Sequence, residues 1–161
     1  MAIEPHLRAL VSQHGWLEEP FSRSIPTKAY AQYLLHRPPD HVFSVVSFVW
    51  NPLQGSPIHN HQTWGVIGQY EGEEEETRYR LSKTGLERIH TATAHPGDVA
   101  HVYPPDRDVH RIWNPTNAPT VSIHIYGGDI GSQARHVFDP DGRVRPFVSG
   151  YDNCPADYPA L

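Results

Sequence analysis

The sequence GSPIHNH at residues 55–61 places two histidines, His59 and His61, two positions apart. Side chains alternate along a β-strand, so residues two apart share a face and both imidazoles project in the same direction. Two ring nitrogens that converge in this way can bind one metal ion, each at about 2 Å. A surface His-x-His pair looks the same in isolation, so the sequence around the pair has to decide between the two readings.

A second element follows at residues 96–114, where PGD marks a turn and HRIWN supplies a third histidine, His110. The order of the two elements, with glycines between them, resembles the two-part signature of the cupins, which are small β-barrels of the double-stranded β-helix type. The signature therefore predicts that His59, His61 and His110 hold one metal ion. His95 and His101 are the alternatives for the third ligand, but neither lies in a His-x-x-x-Asn sequence.

The chain departs from the usual cupin signature where a glutamate ligand is expected, because Gly65 and Val66 occupy those positions. Three neutral imidazoles leave the ion its full positive charge and about three open coordination positions. Anionic ligands such as a thiolate and a carboxylate can then bind, and an open site of this kind suits Fe(2+) that must bind substrate and dioxygen together. Zinc also binds three histidines, so the ligands alone leave the metal undecided.

The rest of the chain predicts a mainly β fold. Residues 42–50 are β-branched and aromatic, as in a buried strand. Further strand-like stretches, separated by Gly, Pro, Asn or Asp, lie near residues 58–70, 75–81, 86–92, 98–103, 109–114 and 119–126. Many short strands with frequent turns are typical of a sandwich or a closed barrel. An acidic run at residues 71–76 is interpreted as a solvated edge without a function.

Two short helices are predicted before the strands. The first covers residues 4–14, and the second covers residues 27–35, where Tyr30, Tyr33 and Leu34 recur at helical spacing. The predicted organisation is a single cupin domain over residues 1–161. It has N-terminal helices within 1–36, a barrel at 42–138, and a C-terminal segment at 139–161 that wraps the surface.

Composition excludes several classes of protein. The net charge of −5 argues against a nucleic-acid partner. The longest apolar run, residues 43–50, is too short to span a membrane. The single cysteine, Cys154, allows no disulfide within the chain, and the first residues do not resemble a signal peptide. A cytoplasmic protein is therefore expected, while the oligomeric state is left open.

A second cluster of polar residues occurs where Ser122, His124 and Tyr126 alternate with apolar residues. On a strand these three side chains face the same way. They can form a relay in which Ser122 orients His124, and His124 orients the Tyr126 hydroxyl. The alternative interpretation is a half-solvated strand with its polar residues outward.

These motifs together resemble the thiol dioxygenases, the cysteine dioxygenase family of cupins, over about residues 30–135. Members of that family use Fe(2+) on three histidines to add both atoms of O2 to a thiol sulfur, giving a sulfinate. The resemblance implies that the three histidines of the signature are the iron ligands. It also implies that Ser122, His124 and Tyr126 are the catalytic relay.

Two positions refine the substrate that the resemblance implies. Gln32 stands where animal-type cysteine dioxygenases have a carboxylate-binding arginine, and no cysteine follows the His-x-His pair. This is similar to the bacterial 3-mercaptopropionate dioxygenases, in which an arginine after the relay strand approaches the substrate. Arg135 is the matching candidate. The plain alternatives are a helix-surface glutamine and a solvent-exposed arginine.

The implied partners are a small thiol carboxylate and O2, with 3-mercaptopropionate preferred and cysteine possible. Two other functions compete with this one. The first is a different cupin reaction, such as an isomerisation or a zinc-dependent hydrolysis, and the second is a non-catalytic module that binds a small ligand.

Overall fold

The computed structural model describes residues 2–82, 85–141 and 143–153. Within them the helical elements are α1 (Glu4–Val11) and a 3-10 turn (Glu19–Phe21). The strands are β1 (Tyr30–His36), β2 (Ser44–Trp50), β3 (Ile58–His59), β4 (Gly65–Glu71), β5 (Glu74–Ser82), β6 (Gly85–Ala94), β7 (Val99–Val102), β8 (His110–Trp113), β9 (Thr120–Tyr126), β10 (Arg135–Phe138) and β11 (Val144–Phe147).

The strands form two antiparallel sheets, which confirms the prediction of a mainly β fold. One sheet has the order β1-β2-β9-β4-β7, and the other has the order β11-β10-β3-β8-β5-β6. The predicted strand positions are confirmed with one refinement. The stretch near 58–70 contains two strands, because the chain turns between β3 and β4, where Gln62 adopts a positive φ of 56°.

Alternation along the strands creates two apolar clusters. Phe48 and Trp50 of β2 belong to the inner cluster, between the sheets. Val49 of the same strand belongs to the outer cluster, which Leu7 and Val11 of α1 help to form against the first sheet. Both faces of this sheet are therefore buried, and the inner face is the one that can carry a site.

The second predicted helix is wrong, because its residues form β1 and pair with β2 from Tyr30↔Trp50 onward. Tyr30 and Leu34 pack against the inner cluster, while Tyr33 belongs to the outer one. When apolar residues lie on both faces of a strand, their spacing in the sequence can match that of the apolar face of a helix. A helix this short is only marginally stable without tertiary contacts. Gln32 consequently lies on a strand and not on a helix surface.

The C-terminal segment follows the barrel edge as far as it is described. The Gln32 backbone N–H donates to the Asp152 carboxylate at 2.8 Å, and the Asp152 N–H donates to the Gln32 carbonyl at 2.8 Å. Cys154 lies outside the described residues, and the single-domain division stays a prediction. Among the residues described, no helix is long and apolar enough to cross a membrane.

Candidate metal centre

Three buried histidines converge inside the barrel. His59 ends β3 and pairs across the sheet with His110 of β8, and His61 follows two residues after His59. The ring centroids of each pair lie 4.8 Å apart. One nitrogen from each ring lies within 4.8 Å of the others, a spacing that allows all three to bind one metal ion.

The two alternative third ligands lie elsewhere. His95 is exposed and faces Glu73 at 3.3 Å. His101 sits opposite Val66 in the register of β4 and β7 and faces Glu4 of α1 at 3.2 Å. Neither joins the cluster of three histidines.

Each Nδ1 nitrogen of the cluster has its own hydrogen-bond acceptor. His59 Nδ1 donates to the Pro57 carbonyl at 3.0 Å, and His61 Nδ1 donates to Asp108 at 3.0 Å. His110 Nδ1 donates to Glu76 at 2.8 Å. Holding the proton on Nδ1 leaves the Nε2 lone pair for a metal, as is usual for metal-binding histidines.

The electrostatics of the cluster also suit a metal ion. Burial, reinforced by the neighbouring His110, holds the pKa of both His59 and His61 well below the ordinary value, so both rings are neutral. The His61 Nε2 atom is buried, and no residue that the structure describes forms a hydrogen bond with it. A buried polar atom without a partner is costly, and a metal ion would satisfy it. The residues present therefore fit a metal ion.

Two carboxylates that support these histidines were not identified from the sequence. Asp108 also accepts hydrogen bonds from the backbone N–H groups of His61 and Gln62 at 2.8 and 2.9 Å, which holds the turn after β3. Burial by itself would raise the Glu76 pKa, but the hydrogen bond from His110 and the nearby Arg78 lower it to about 2. Glu76 is thus ionised beside His110.

The interpretation of the acidic run as a solvated edge is wrong for two of its members. Glu71 and Glu73 are exposed, as expected, but Glu74 is only 3% exposed and Glu76 supports His110. Glu74 and Glu76 are two apart on β5, so both project into the barrel. The two-residue spacing of Glu74 and Glu76 could have indicated their inward orientation. Because nearly all residues of the run are acidic, the alternation between inward and outward positions was not visible in the sequence.

Ser122, His124 and Tyr126 all face the barrel interior and are at most 3% exposed, so the alternative of outward polar residues is wrong. Ser122 Oγ lies 2.9 Å from His124 Nε2, and His124 Nδ1 lies 2.8 Å from the Tyr126 hydroxyl. Burial lowers the pKa of His124 to about 3, so the ring is neutral, and burial raises the pKa of Tyr126. The Tyr126 ring stacks on His61 at 5.4 Å between centroids.

One cavity brings together two residues of the relay, two histidines of the cluster and both predicted substrate-binding residues. It encloses about 390 Å³ of space between atoms, its open mouth included. Its lining includes His59, His110, Tyr126, Gln32 and Arg135. Both polar atoms of the Gln32 amide are buried and have no hydrogen-bond partner among the described residues.

Arg135 is buried at 4% exposure and is not the solvent-exposed arginine of the alternative interpretation. Its guanidinium lies over the Phe147 ring at 4.6 Å and donates to Ser149 at 2.5 Å, while its Nε atom has no partner. Among the described residues no carboxylate lies within ion-pair distance of it. Burial lowers the Arg135 pKa, because a lone buried charge is unfavourable.

Solved structures share this architecture. A cupin-2 domain from Rhodospirillum rubrum superposes over 81% of this chain and 83% of its own, with a TM-score of 0.57 and 10% sequence identity. The fold is a cupin fold. An acetylacetone dioxygenase from Acinetobacter johnsonii superposes over 84% of both chains, with a TM-score of 0.54 and 13% identity.

An oxalate oxidase with bound glycolate also superposes on 70% of this chain, with a TM-score of 0.54 and 12% identity. The chain spans 59% of the oxalate oxidase chain. No family model matches the sequence. The cupin expectation is thus confirmed for the fold. Two of these neighbours are named as an oxidase and a dioxygenase, and the barrel of this chain holds a possible three-histidine metal site.

Proposed function

We propose that this cupin is a thiol dioxygenase that uses Fe(2+), held by His59, His61 and His110, to oxidise a small thiol carboxylate to a sulfinate. One observation carries the proposal: a buried arginine, with no carboxylate within ion-pair distance among the described residues, lines one cavity with His59 and His110, two of the three converging histidines. Such a cavity suits a substrate with a metal-binding group at one end and a carboxylate at the other.

The reaction adds both oxygen atoms of O2 to one sulfur. The S–H bond and the O–O bond break, two S–O bonds form, the sulfur gives up four electrons to the two oxygen atoms, and one proton leaves the cavity. Iron, when bound, supplies the site at which thiolate and dioxygen meet and the means of transferring electrons between them. The protein's own residues then bind and orient the substrate, and they move the proton.

Arg135 would bind the substrate carboxylate. A guanidinium binds a carboxylate through two parallel hydrogen bonds, and burial strengthens that interaction. The cost of burying Arg135 without a counter-ion is present before substrate arrives, so a carboxylate that enters the cavity relieves it.

Tyr126 and Gln32 would complete the substrate site. The raised pKa of Tyr126 keeps its hydroxyl protonated at neutral pH, so it can donate a hydrogen bond to the carboxylate. The Gln32 amide, unpartnered and facing the same cavity, can donate a neutral hydrogen bond. A neutral donor is weaker than a charged one, which makes Arg135 the main anchor.

The substrate preference follows from charge. Cysteine would bring its positively charged ammonium group close to the iron ion and to the buried Arg135. To avoid this repulsion, the ammonium group would have to lose a proton. 3-Mercaptopropionate has no amine, so we expect a higher kcat/KM for it than for cysteine. Measuring both in wild type and in Gln32→Arg tests this. A wild type that prefers cysteine tenfold, about 1.4 kcal/mol in transition-state binding, would overturn the substrate assignment.

Dioxygen consumption separates the proposed reaction from its rivals. The iron-loaded protein is assayed with a panel of thiols and with acetylacetone, the compound in the name of the Acinetobacter johnsonii dioxygenase. If dioxygen is consumed with acetylacetone but with none of the thiols, the assignment of a thiol substrate is wrong. Consumption with no compound, together with tight binding of zinc, would favour a hydrolase or a non-catalytic module. A cytoplasmic location, where thiols stay reduced, is part of the proposal.

A further inference from the structure

A second cavity lies between the two sheets, on the other side of β8 from the cavity that Gln32 and Arg135 line. It encloses about 780 Å³ of space between atoms, its open mouth included. The linings of the two cavities have His110 and Ile112 of β8 in common, and their other residues differ. The second cavity is therefore a separate space, and the proposed function makes no use of it.

The walls of the second cavity are largely apolar. Because side chains two apart on a strand share a face, Ile67 and Gln69 of β4 both point inward, as do Glu74 and Glu76 of β5. Aliphatic side chains form much of the remaining wall, namely those of Ala92, Ala94, Val99, Ala100 and Ile112. An apolar wall with a few polar groups is typical of a site for a small ligand.

The polar groups inside this cavity are hydrogen-bond acceptors. Gln69 is 2% exposed, and in the hydrogen bonds of the described residues its side chain uses only Nε2, which donates to three backbone carbonyls and to Glu74 Oε1. Gln69 Oε1 takes part in none of these bonds. Glu74 is 3% exposed, and its Oε1 atom accepts from Gln69 at 3.3 Å and from Thr120 Oγ1 at 3.4 Å. A ligand that donates hydrogen bonds would suit these groups.

Glu74 is also a buried carboxyl group without a cationic neighbour. Its donors Gln69 and Thr120 are neutral, and no ion pair between described residues includes it. Burial raises the pKa of Glu74 to about 8, as expected for a carboxyl group in such surroundings. An ionised carboxylate at this depth is unfavourable without a charge partner, so a cation in the cavity would be stabilised beside it.

The charged groups already present in the cavity do not supply this cation. Besides Glu74, the titratable side chains of the lining are Arg8, Glu76, Asp98 and His110. The Arg8 guanidinium donates to the Glu4 carboxylate and to the Gly97 carbonyl, both at 3.0 Å, so it is already paired. With three carboxyl groups and one guanidinium, the lining has an excess of acidic groups, which favours a positively charged ligand.

We propose that the second cavity is a binding site for a small primary amine with an apolar body, whose ammonium group lies against Glu74 and Gln69. The aliphatic walls would bury the body of the amine. The Glu74 carboxylate would pair with the ammonium charge, and Gln69 Oε1 would accept one of its three N–H donors. A proton held by Glu74 would leave to solvent through the mouth of the cavity as the ammonium binds. The site does not depend on the proposed function.

Two probes of the same shape test the charge requirement. Benzylammonium chloride and benzyl alcohol share an apolar ring and differ in the charged group. Titration calorimetry with the full chain, without added metal and again with zinc, measures the affinity for each probe. We expect benzylammonium to bind at least about 10-fold more tightly, because a hydrogen bond to a charged group is the stronger one. Equal affinities, or no binding of benzylammonium, would overturn the proposal.

The side-chain amides of Gln69 and Gln32 report which cavity is occupied, because each of them lines only one of the two. In 15N NMR spectra, benzylammonium should shift the Gln69 amide signal and leave the Gln32 signal in place. Gln69→Asn and Gln32→Asn assign the two signals. A shift of the Gln32 signal alone would place the amine in the other cavity and contradict the proposed site.

Two pairs of variants complete the test. Glu74→Gln should weaken benzylammonium binding by at least about 10-fold and leave benzyl alcohol unchanged, while Glu71→Gln, an exposed neighbour, should bind as the wild type does. Ala92→Phe places a ring at an exposed position of the lining and should block the cavity even if Glu74→Gln fails to fold, whereas Ala92→Ser should not. Wild-type affinity for benzylammonium in Glu74→Gln or in Ala92→Phe would overturn the proposal.

Discussion

At the scale of single residues, each histidine of the cluster has its Nδ1 nitrogen bound to a different acceptor: a carbonyl, an aspartate and a glutamate. This arrangement fixes three ring orientations independently, so that the Nε2 atoms converge before any metal arrives. Preorganisation of this kind raises metal affinity, because little ordering is left to do on binding.

Removal of one histidine should abolish tight metal binding. His110→Ala deletes one of three ligands and also removes the donor to Glu76 Oε1, while Arg78 still donates to Glu76 Oε2. We expect the iron content measured by elemental analysis to fall to near background. His95→Ala and His101→Ala serve as matched controls and should keep their iron, since both rings lie outside the cluster. Iron loss in either control, with retention in His110→Ala, would contradict the assignment of the third ligand.

Arg135→Gln should weaken the binding of thiol carboxylates. A hydrogen bond to a charged group contributes about 1.5–3 kcal/mol, so KM for 3-mercaptopropionate should rise by about 10- to 100-fold. Ethanethiol, which has no carboxylate, should show little change. Arg145→Gln, an exposed arginine on the neighbouring strand, is the control. Equal losses with both thiols would mean that Arg135 supports the fold and does not bind the carboxylate.

At the scale of elements, the absence of the usual cupin glutamate at the start of β4 has a steric explanation. Gly65 faces the interior, where a Cβ atom would lie 2.9 Å from the Tyr126 ring and 2.8 Å from a Val102 methyl group. A side chain at this position and the relay tyrosine on β9 compete for the same space.

Gly65→Ala should therefore destabilise the packing of β4 against β9. Overpacking of a buried site costs about 1–3 kcal/mol, which urea unfolding can measure. The Tyr126 ring must also move from His61, so activity should fall together with stability. In a Tyr126→Ala background the same substitution should cost less, because the ring is gone. If Gly65→Ala destabilises the Tyr126→Ala variant as much as it destabilises the wild type, then Val102 alone limits the space for a side chain at position 65.

At the scale of the whole molecule, Glu74 links the stability of the barrel to pH. Its pKa is raised from 4.5 to about 8 in the folded protein, chiefly by burial. Between these values the unfolded chain loses its proton while the folded chain keeps it. Ionisation therefore favours unfolding, and the stability due to this group falls as the pH rises from about 4.5 to about 8, then levels off.

Glu74→Gln should remove this dependence. Between pH 4 and pH 7 the wild type should lose about 3 kcal/mol of unfolding free energy relative to the variant. Urea denaturation at both pH values measures it, and Glu71→Gln should show no such shift. A difference that is the same at both pH values would mean that Glu74 is ionised in the folded protein.

Much of this protein follows from local sequence alone. The spacing of His59 and His61, and of Ser122, His124 and Tyr126, predicts shared faces because a strand has a period of two residues. The structure bears out both predictions of geometry. The strands from β2 to β9 are also predictable, since β-branched and aromatic residues lie between turn residues there. The strands β1, β10 and β11 were not predicted.

Only the tertiary structure decides which buried groups meet. The sequence of β1 resembles that of a helix, because the residues of one segment cannot show that both faces of that segment are buried. The strand that pairs with β1 is β2, which lies outside the segment. Asp108, Glu74 and Arg135 take their roles from neighbours that are distant in sequence. Burial and hydrogen bonding set the pKa and the partner of each group, and both depend on how the two sheets close around the barrel interior.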